Sequence, residues 1–229
     1  MEIKLHPCTL VRVLFSILAV LFVLHIVAWL PPILTGRDYT IRYFDFGLEQ
    51  NLPTLFSTGL LLLSSGLTLL IAVTEKKKGQ AFICWAVLSA VFLMLGIDET
   101  IMIHEKVSDL LHEQLNTTGM FRFVWVLPYG LAAVVFGLSM LRFYLRLPAD
   151  TKKWIAFAAF TYVLGAIGIE MAGSARYSSN GFDSWYTVIS TIEEILEMCG
   201  AILFVYAFSR HIDQHLDGTR IRITSQREG

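Results

Sequence analysis

The chain has 229 residues, of which 55% are hydrophobic and 16% charged, and its mean hydropathy is +0.61. Soluble globular domains carry roughly 25% charged residues, so this composition excludes that class and fits a polytopic membrane protein. Eighteen Lys and Arg against nineteen Asp and Glu leave a net charge of -1, which provides no basic field to hold a phosphate backbone and excludes a nucleic-acid partner. Cys8, Cys84 and Cys199 are far apart and two of them sit in apolar runs, so they read as small buried residues and not as a disulfide framework or thiolate site.

About 20 apolar residues cross a hydrocarbon core about 30 Å thick, and six segments reach that length: 10–31, 54–74, 81–103, 123–145, 154–174 and 186–209. They predict an all-α bundle of six transmembrane helices, a single transmembrane domain over 1–229 that closes with a short polar tail, 210–229. The first span follows Lys4 and Arg12, is too long for a signal-peptide core, and is followed by Pro31-Pro32, so it reads as an uncleaved anchor. The next loop carries Tyr39, Tyr43, Phe44 and Phe46, rings that settle at a membrane interface. After the third span, Val107, Leu110, Leu111 and Leu115 keep helical spacing, which predicts that the same helix continues beyond the membrane.

Orientation follows from Lys and Arg near the helix ends. Lys4, Arg12, Lys76, Lys77, Lys78, Arg142, Arg146, Lys152, Lys153, Arg210, Arg220, Arg222 and Arg227 fall on one side, thirteen in all. Arg37, Arg42, Lys106, Arg122 and Arg176 make five on the other, which places both termini in the cytoplasm of a cell with this protein in its inner (plasma) membrane.

Ionisable side chains within a span oppose insertion by roughly 2.5 to 3.5 kcal/mol each, and here they are many. The third span ends in Asp98-Glu99 with His104-Glu105 just beyond, the fifth holds Glu170, and the sixth holds Glu193, Glu194 and Glu197. A rise of about 1.5 Å per residue puts Asp98, Glu170, Glu193, Glu194 and Glu197 about 20 to 27 Å above the cytoplasmic ends, one layer that His25 and Tyr129 also reach. At about 100° per residue, Glu193, Glu194 and Glu197 share a face, and Asp98 pairs inward with Glu105 while Glu99 and His104 diverge.

So many carboxylates in a low-dielectric layer need protons, a basic side chain such as Arg176, or a bound divalent cation. Carboxylates with imidazole suit zinc, iron or manganese, so Asp98, His104, Glu105, Glu170, Glu193 and Glu197 form the expected metal set. Asp98, Glu105, Glu170 and Glu194 form the expected catalytic acid-base pool. The Glu-x-x-His pair of di-iron bundles, HExxH and Gly-x-Ser-x-Gly are absent. The bland alternative is a layer of protonated carboxyls that only tie helices together. His25 fits a satisfied core histidine better than a ligand, and Gly165, Gly168 and Gly173 fit close helix packing.

Asn51-Leu52-Pro53-Thr54, Asp98-Glu99 with His104-Glu105, and Glu193-Glu194 with Glu197-Met198-Cys199-Gly200 resemble a group of small bacterial multi-pass inner-membrane proteins without assigned activity. That resemblance implies a bacterial membrane protein and carries no mechanism. The expected function is a metal-dependent membrane enzyme acting at the outer leaflet on a lipid or lipophilic substrate. The alternatives are a cation- or proton-coupled transporter, and an accessory subunit of a membrane complex.

Overall fold

The computed structural model describes residues 6–35 and 41–216. Lys4, Arg37, Tyr39, Arg220, Arg222, Arg227 and most of the expected tail lie outside the described residues. Among the described residues, eight α-helices follow in order: α1 (Pro7–Thr35), α2 (Leu52–Lys77), α3 (Ile83–Ile101), α4 (Ile103–Leu115), α5 (Val126–Arg146), α6 (Ala149–Val163), α7 (Glu170–Asn180) and α8 (Ser184–His215). A π-helical turn, Leu164–Ile169, joins α6 to α7.

Local chemistry sets several of these ends. Asn51 caps α2 by accepting the Thr54 amide at 3.1 Å, and Pro53 occupies the first turn, where its missing N–H leaves no bond unmade. Gly79, with φ of 71°, then releases the chain toward α3. Asp183 caps α8 by accepting the Tyr186 amide at 2.8 Å.

Pro7–Trp29, Leu52–Lys77, Ile83–Ile101, Val126–Arg146 and Ala149–Asn180 are five stretches long and apolar enough to cross a membrane. The expected sixth span, 186–209, lies within α8, whose 32 residues suffice in length. Glu193, Glu194 and Glu197 in its middle keep it out of that apolar set.

Helix α8 is the axis of the bundle and packs against α1, α2, α6, α7 and the π-turn, while α2 and α3 form the most extensive pair. In lipid, where apolar contact alone gives no preference for protein over acyl chain, close approach and interhelical hydrogen bonds decide such pairings. Between α2 and α3, the Ser65 hydroxyl donates to the Ser89 carbonyl at 2.8 Å and the Ser89 hydroxyl donates to the Ser65 carbonyl at 2.9 Å. Between α6 and α8, Gly200 lies so close to Tyr162 that a Cβ there would sit 2.6 Å from the Tyr162 amide nitrogen.

The core at this level is aromatic. Phe92 lies 4.9 Å from Phe204 and 5.5 Å from Phe208 between ring centroids, and Trp85 stands 6.2 Å from Phe208 and 5.1 Å from Phe143. Phe92 is six residues, about 9 Å, from Asp98 along α3, and Phe204 is seven residues, about 10 Å, from Glu197 along α8. These rings therefore floor the acidic layer.

Candidate functional site: an acid-lined cup

The third span and its extension are not one helix. Helix α3 stops at Ile101, Met102 takes the left-handed conformation (φ 58°, ψ 50°), and α4 starts afresh at Ile103. A phase of 100° per residue holds only along an unbroken helix, so the expected pairing across this point is overturned. His104, and not Glu105, turns to Asp98: its amide donates to Asp98 Oδ1 at 3.0 Å and its ring Nδ1–H to Oδ2 at 3.0 Å. Glu105 is exposed.

The other ring nitrogen of His104, Nε2, lies 3.3 Å from Glu49 Oε1. Two carboxylates thus bracket the imidazole, and although burial opposes its charge, the hydrogen bonds to Asp98 and Glu49 push His104 up to about 11. It is an imidazolium with both N–H groups committed. Sequence reasoning missed Glu49, which lies in a loop outside every span. The only signal was an acid two residues before the Asn51 cap. Asn51 itself secures that loop, donating through Nδ2 to the carbonyls of Asp45 and Leu48, each at 2.6 Å.

Around this pair the helices converge. Tyr129 of α5 donates to Asp98 Oδ1 at 3.0 Å, and Trp125 donates through Nε1 to Glu170 Oε1 at 2.9 Å. The π-turn adds a residue to the α6–α7 helix just before Glu170, which lies beside Glu193 of α8. Gly165 makes that approach possible, since a Cβ there would lie 2.9 Å from Glu197 Cγ and 3.0 Å from the Glu197 amide nitrogen. Glu99 lies beside Ser57 of α2 and within electrostatic reach of Glu49, Glu194 and Glu197. Glu99, Glu170, Glu193, Glu194 and Glu197 are all half-buried: protein atoms crowd them, yet each retains some accessible surface.

Seven carboxylates, of Glu49, Asp98, Glu99, Glu170, Glu193, Glu194 and Glu197, therefore gather around one imidazolium. Arg176, the basic side chain expected to balance them, instead pairs with Asp183 at the start of α8. Among the described residues no three His, Cys, Asp or Glu side chains stand ready to hold a metal ion together.

His25 belongs to the bundle's framework. Its Nδ1 accepts the Phe46 amide at 3.1 Å, which places the ring proton on Nε2, directed at Thr191 Oγ1 of α8 at 3.1 Å. The ring stacks on Phe46 at 4.8 Å, so one histidine fixes the loop to α1 and α8. At the far end of α8, His211 meets the Thr151 hydroxyl at 3.0 Å and lies tilted against Trp85, 4.9 Å between ring centroids, a packed position near His215.

The fold and the site define a helical protein with five stretches long and apolar enough to cross a membrane and an acidic cluster, the cup, gathered around His104. Residues 13–212 match the domain of unknown function DUF8692, and the chain belongs to that family. No curated protein and no solved structure matches it.

Proposed function

We propose that this is a six-span inner-membrane protein with both termini in the cytoplasm, whose cup opens toward the outer leaflet and binds a divalent cation for chemistry on a lipid or lipophilic substrate. The observation that carries this reading is the excess of seven gathered carboxylates over one imidazolium. Such a layer is compatible with an apolar surrounding only when further positive charge, as protons or a metal ion, enters it. Helix α8 completes the six spans because its acids lie against protein and not against lipid.

Zinc, iron or manganese fits oxygen donors of this kind, with Glu170, Glu193 and Glu197 closing on the ion by side-chain rotation. Asp98, Glu170 and Glu194 supply the proton-transfer pool beside it, Glu105 being turned outward by the break at Met102, and the metal when bound supplies Lewis acidity. His104 becomes a ligand only when Glu49 releases Nε2; with both contacts made it is the fixed counter-charge. The aromatic floor favours an enzyme over a transporter, since a one-sided pocket gives an ion no path onward.

Metal analysis of the purified protein tests the reading. We expect about one or two equivalents of a transition metal, lost in Glu193→Gln and Glu197→Gln. Less than about 0.2 equivalents, unchanged in those variants, would overturn it.

A further inference from the structure

Two cavities have walls that follow one another along the chain, one ending at Asn51 and the other taking up Leu52, and the first includes Glu49. One, of about 460 Å³, is walled by Ile41, Arg42, Tyr43, Glu49, Gln50 and Asn51. The other, of about 490 Å³, is an apolar groove between α1 and α2, both of which pack on α8 behind it. Its wall begins at Leu52, the residue after Asn51, and continues through Leu55, Phe56 and Gly59 to Leu63 on α2. Leu52 to Leu63 covers about 16 Å of helix rise, close to half of a hydrocarbon core about 30 Å thick. The groove thus matches one acyl chain of one leaflet, and the polar cavity sits where that chain's headgroup would be.

The polar wall offers both charges. Arg42 is exposed and makes no ion pair with a carboxylate among the described residues. Glu49 has one oxygen on His104 while the other, Oε2, is buried without a hydrogen-bond donor. A buried acceptor left in that state is unfavourable, and an ammonium N–H would satisfy it. Tyr43, 72% exposed, suits the interfacial depth at which phosphates lie.

We propose that the loop 41–51 and the α1–α2 groove form a binding site for a phospholipid carrying a primary ammonium, with phosphate on Arg42, ammonium on Glu49 and one acyl chain along Leu52 to Leu63. This names the substrate class of the cup and rests on the outer-leaflet reading above. Binding itself requires no metal. The headgroup lies directly over Glu49–His104, so the lipid's polar ester bonds are the part presented to the cup.

The test is lipid retention under chelation, which separates this site from the metal reading. Protein reconstituted in vesicles of equal phosphatidylethanolamine and phosphatidylglycerol with identical acyl chains, in EDTA, is extracted and its bound lipid counted by native mass spectrometry. We expect roughly tenfold more phosphatidylethanolamine than phosphatidylglycerol, as one charge-assisted hydrogen bond supports. Glu49→Gln should remove the preference between the two lipids, and Arg42→Gln should lower retention of both. Gly59→Phe fills the groove without touching the cup, starts from a position where an added Cβ meets nothing within 4 Å, and should retain neither lipid while keeping the wild-type unfolding midpoint. Equal retention of both lipids, or a preference that Glu49→Gln leaves unchanged, overturns the proposal whatever the metal content.

Discussion

Gly200 of α8 faces the Tyr162 backbone of α6 so closely that a Cβ would lie 2.6 Å from its nitrogen and 2.7 Å from its Cα. Both obstacles are backbone, so neither can rotate aside. Gly200→Ala must separate two helices whose contact also positions Glu197 beside Gly165, and overpacking of this kind costs about 1 to 3 kcal/mol. Thermal unfolding in detergent should show a lower midpoint for Gly200→Ala than for Gly59→Ala, which has open space around it.

His104 gives the pH dependence. Its pKa rises from 6.5 to about 11 on folding, so its ion pairs contribute fully below pH 6.5, weaken as pH rises, and are lost through about pH 11. Removing it in His104→Gln leaves Asp98 and Glu49 without their shared counter-charge, a loss of about 3 kcal/mol near neutrality. The gap in unfolding midpoint between wild type and variant should narrow from pH 6.5 upward; a constant gap to pH 10 would refute the ion-pair account.

Met102 holds a left-handed conformation that a side-chain-bearing residue adopts at a cost of roughly 1 kcal/mol. Gln50, also left-handed with φ of 59°, donates to its sulfur at 3.2 Å. Met102→Gly relieves strain and keeps the break, so stability should hold or rise slightly. Met102→Val places a β-branched residue where it fits worst, and should lower the midpoint while loosening the His104 amide bond to Asp98.

The Ser65 and Ser89 hydroxyls cross the α2–α3 interface reciprocally. Ser65→Ala leaves one such bond unmade and should destabilise by about 1 kcal/mol in a detergent unfolding titration.

Orientation is checked by impermeant thiol labelling in intact cells after Cys8, Cys84 and Cys199 are replaced by alanine. A cysteine at exposed Asn116 should react and one at exposed Lys77 should not. Reversal of that pattern means the cup faces the cytoplasm.

The all-helical fold and five of the long apolar stretches were legible in the sequence because apolar length and helical rise are local quantities. Tyr129 meets Asp98, Trp125 meets Glu170, and Glu170 lies beside Glu193, so residues from α3, α5, α7 and α8 that helical rise places at similar heights do make contacts across the bundle. What counting could not supply was phase beyond a break. One left-handed residue, Met102, exchanges the directions of His104 and Glu105, and nothing in its side chain announces it. Glu49 escaped for a different reason: it enters the site from a loop whose course is set by Asn51 and by the contact of Phe46 with His25, and such tertiary closure leaves no periodic trace.

The aromatic floor also fixes how the cup meets the membrane's electric field. Moving one elementary charge through a full potential of 100 mV is worth about 2.3 kcal/mol, but only in proportion to the share of the drop that is crossed. In the proposed orientation, an ion that reached the carboxylates from the α4 end would stop above Phe92, Phe204 and Phe208, and most of the voltage would fall across the rings beneath it. Occupancy of the cup should therefore respond to cation concentration and hardly at all to membrane potential, and cells that energise or depolarise their membrane would leave its charge state unchanged.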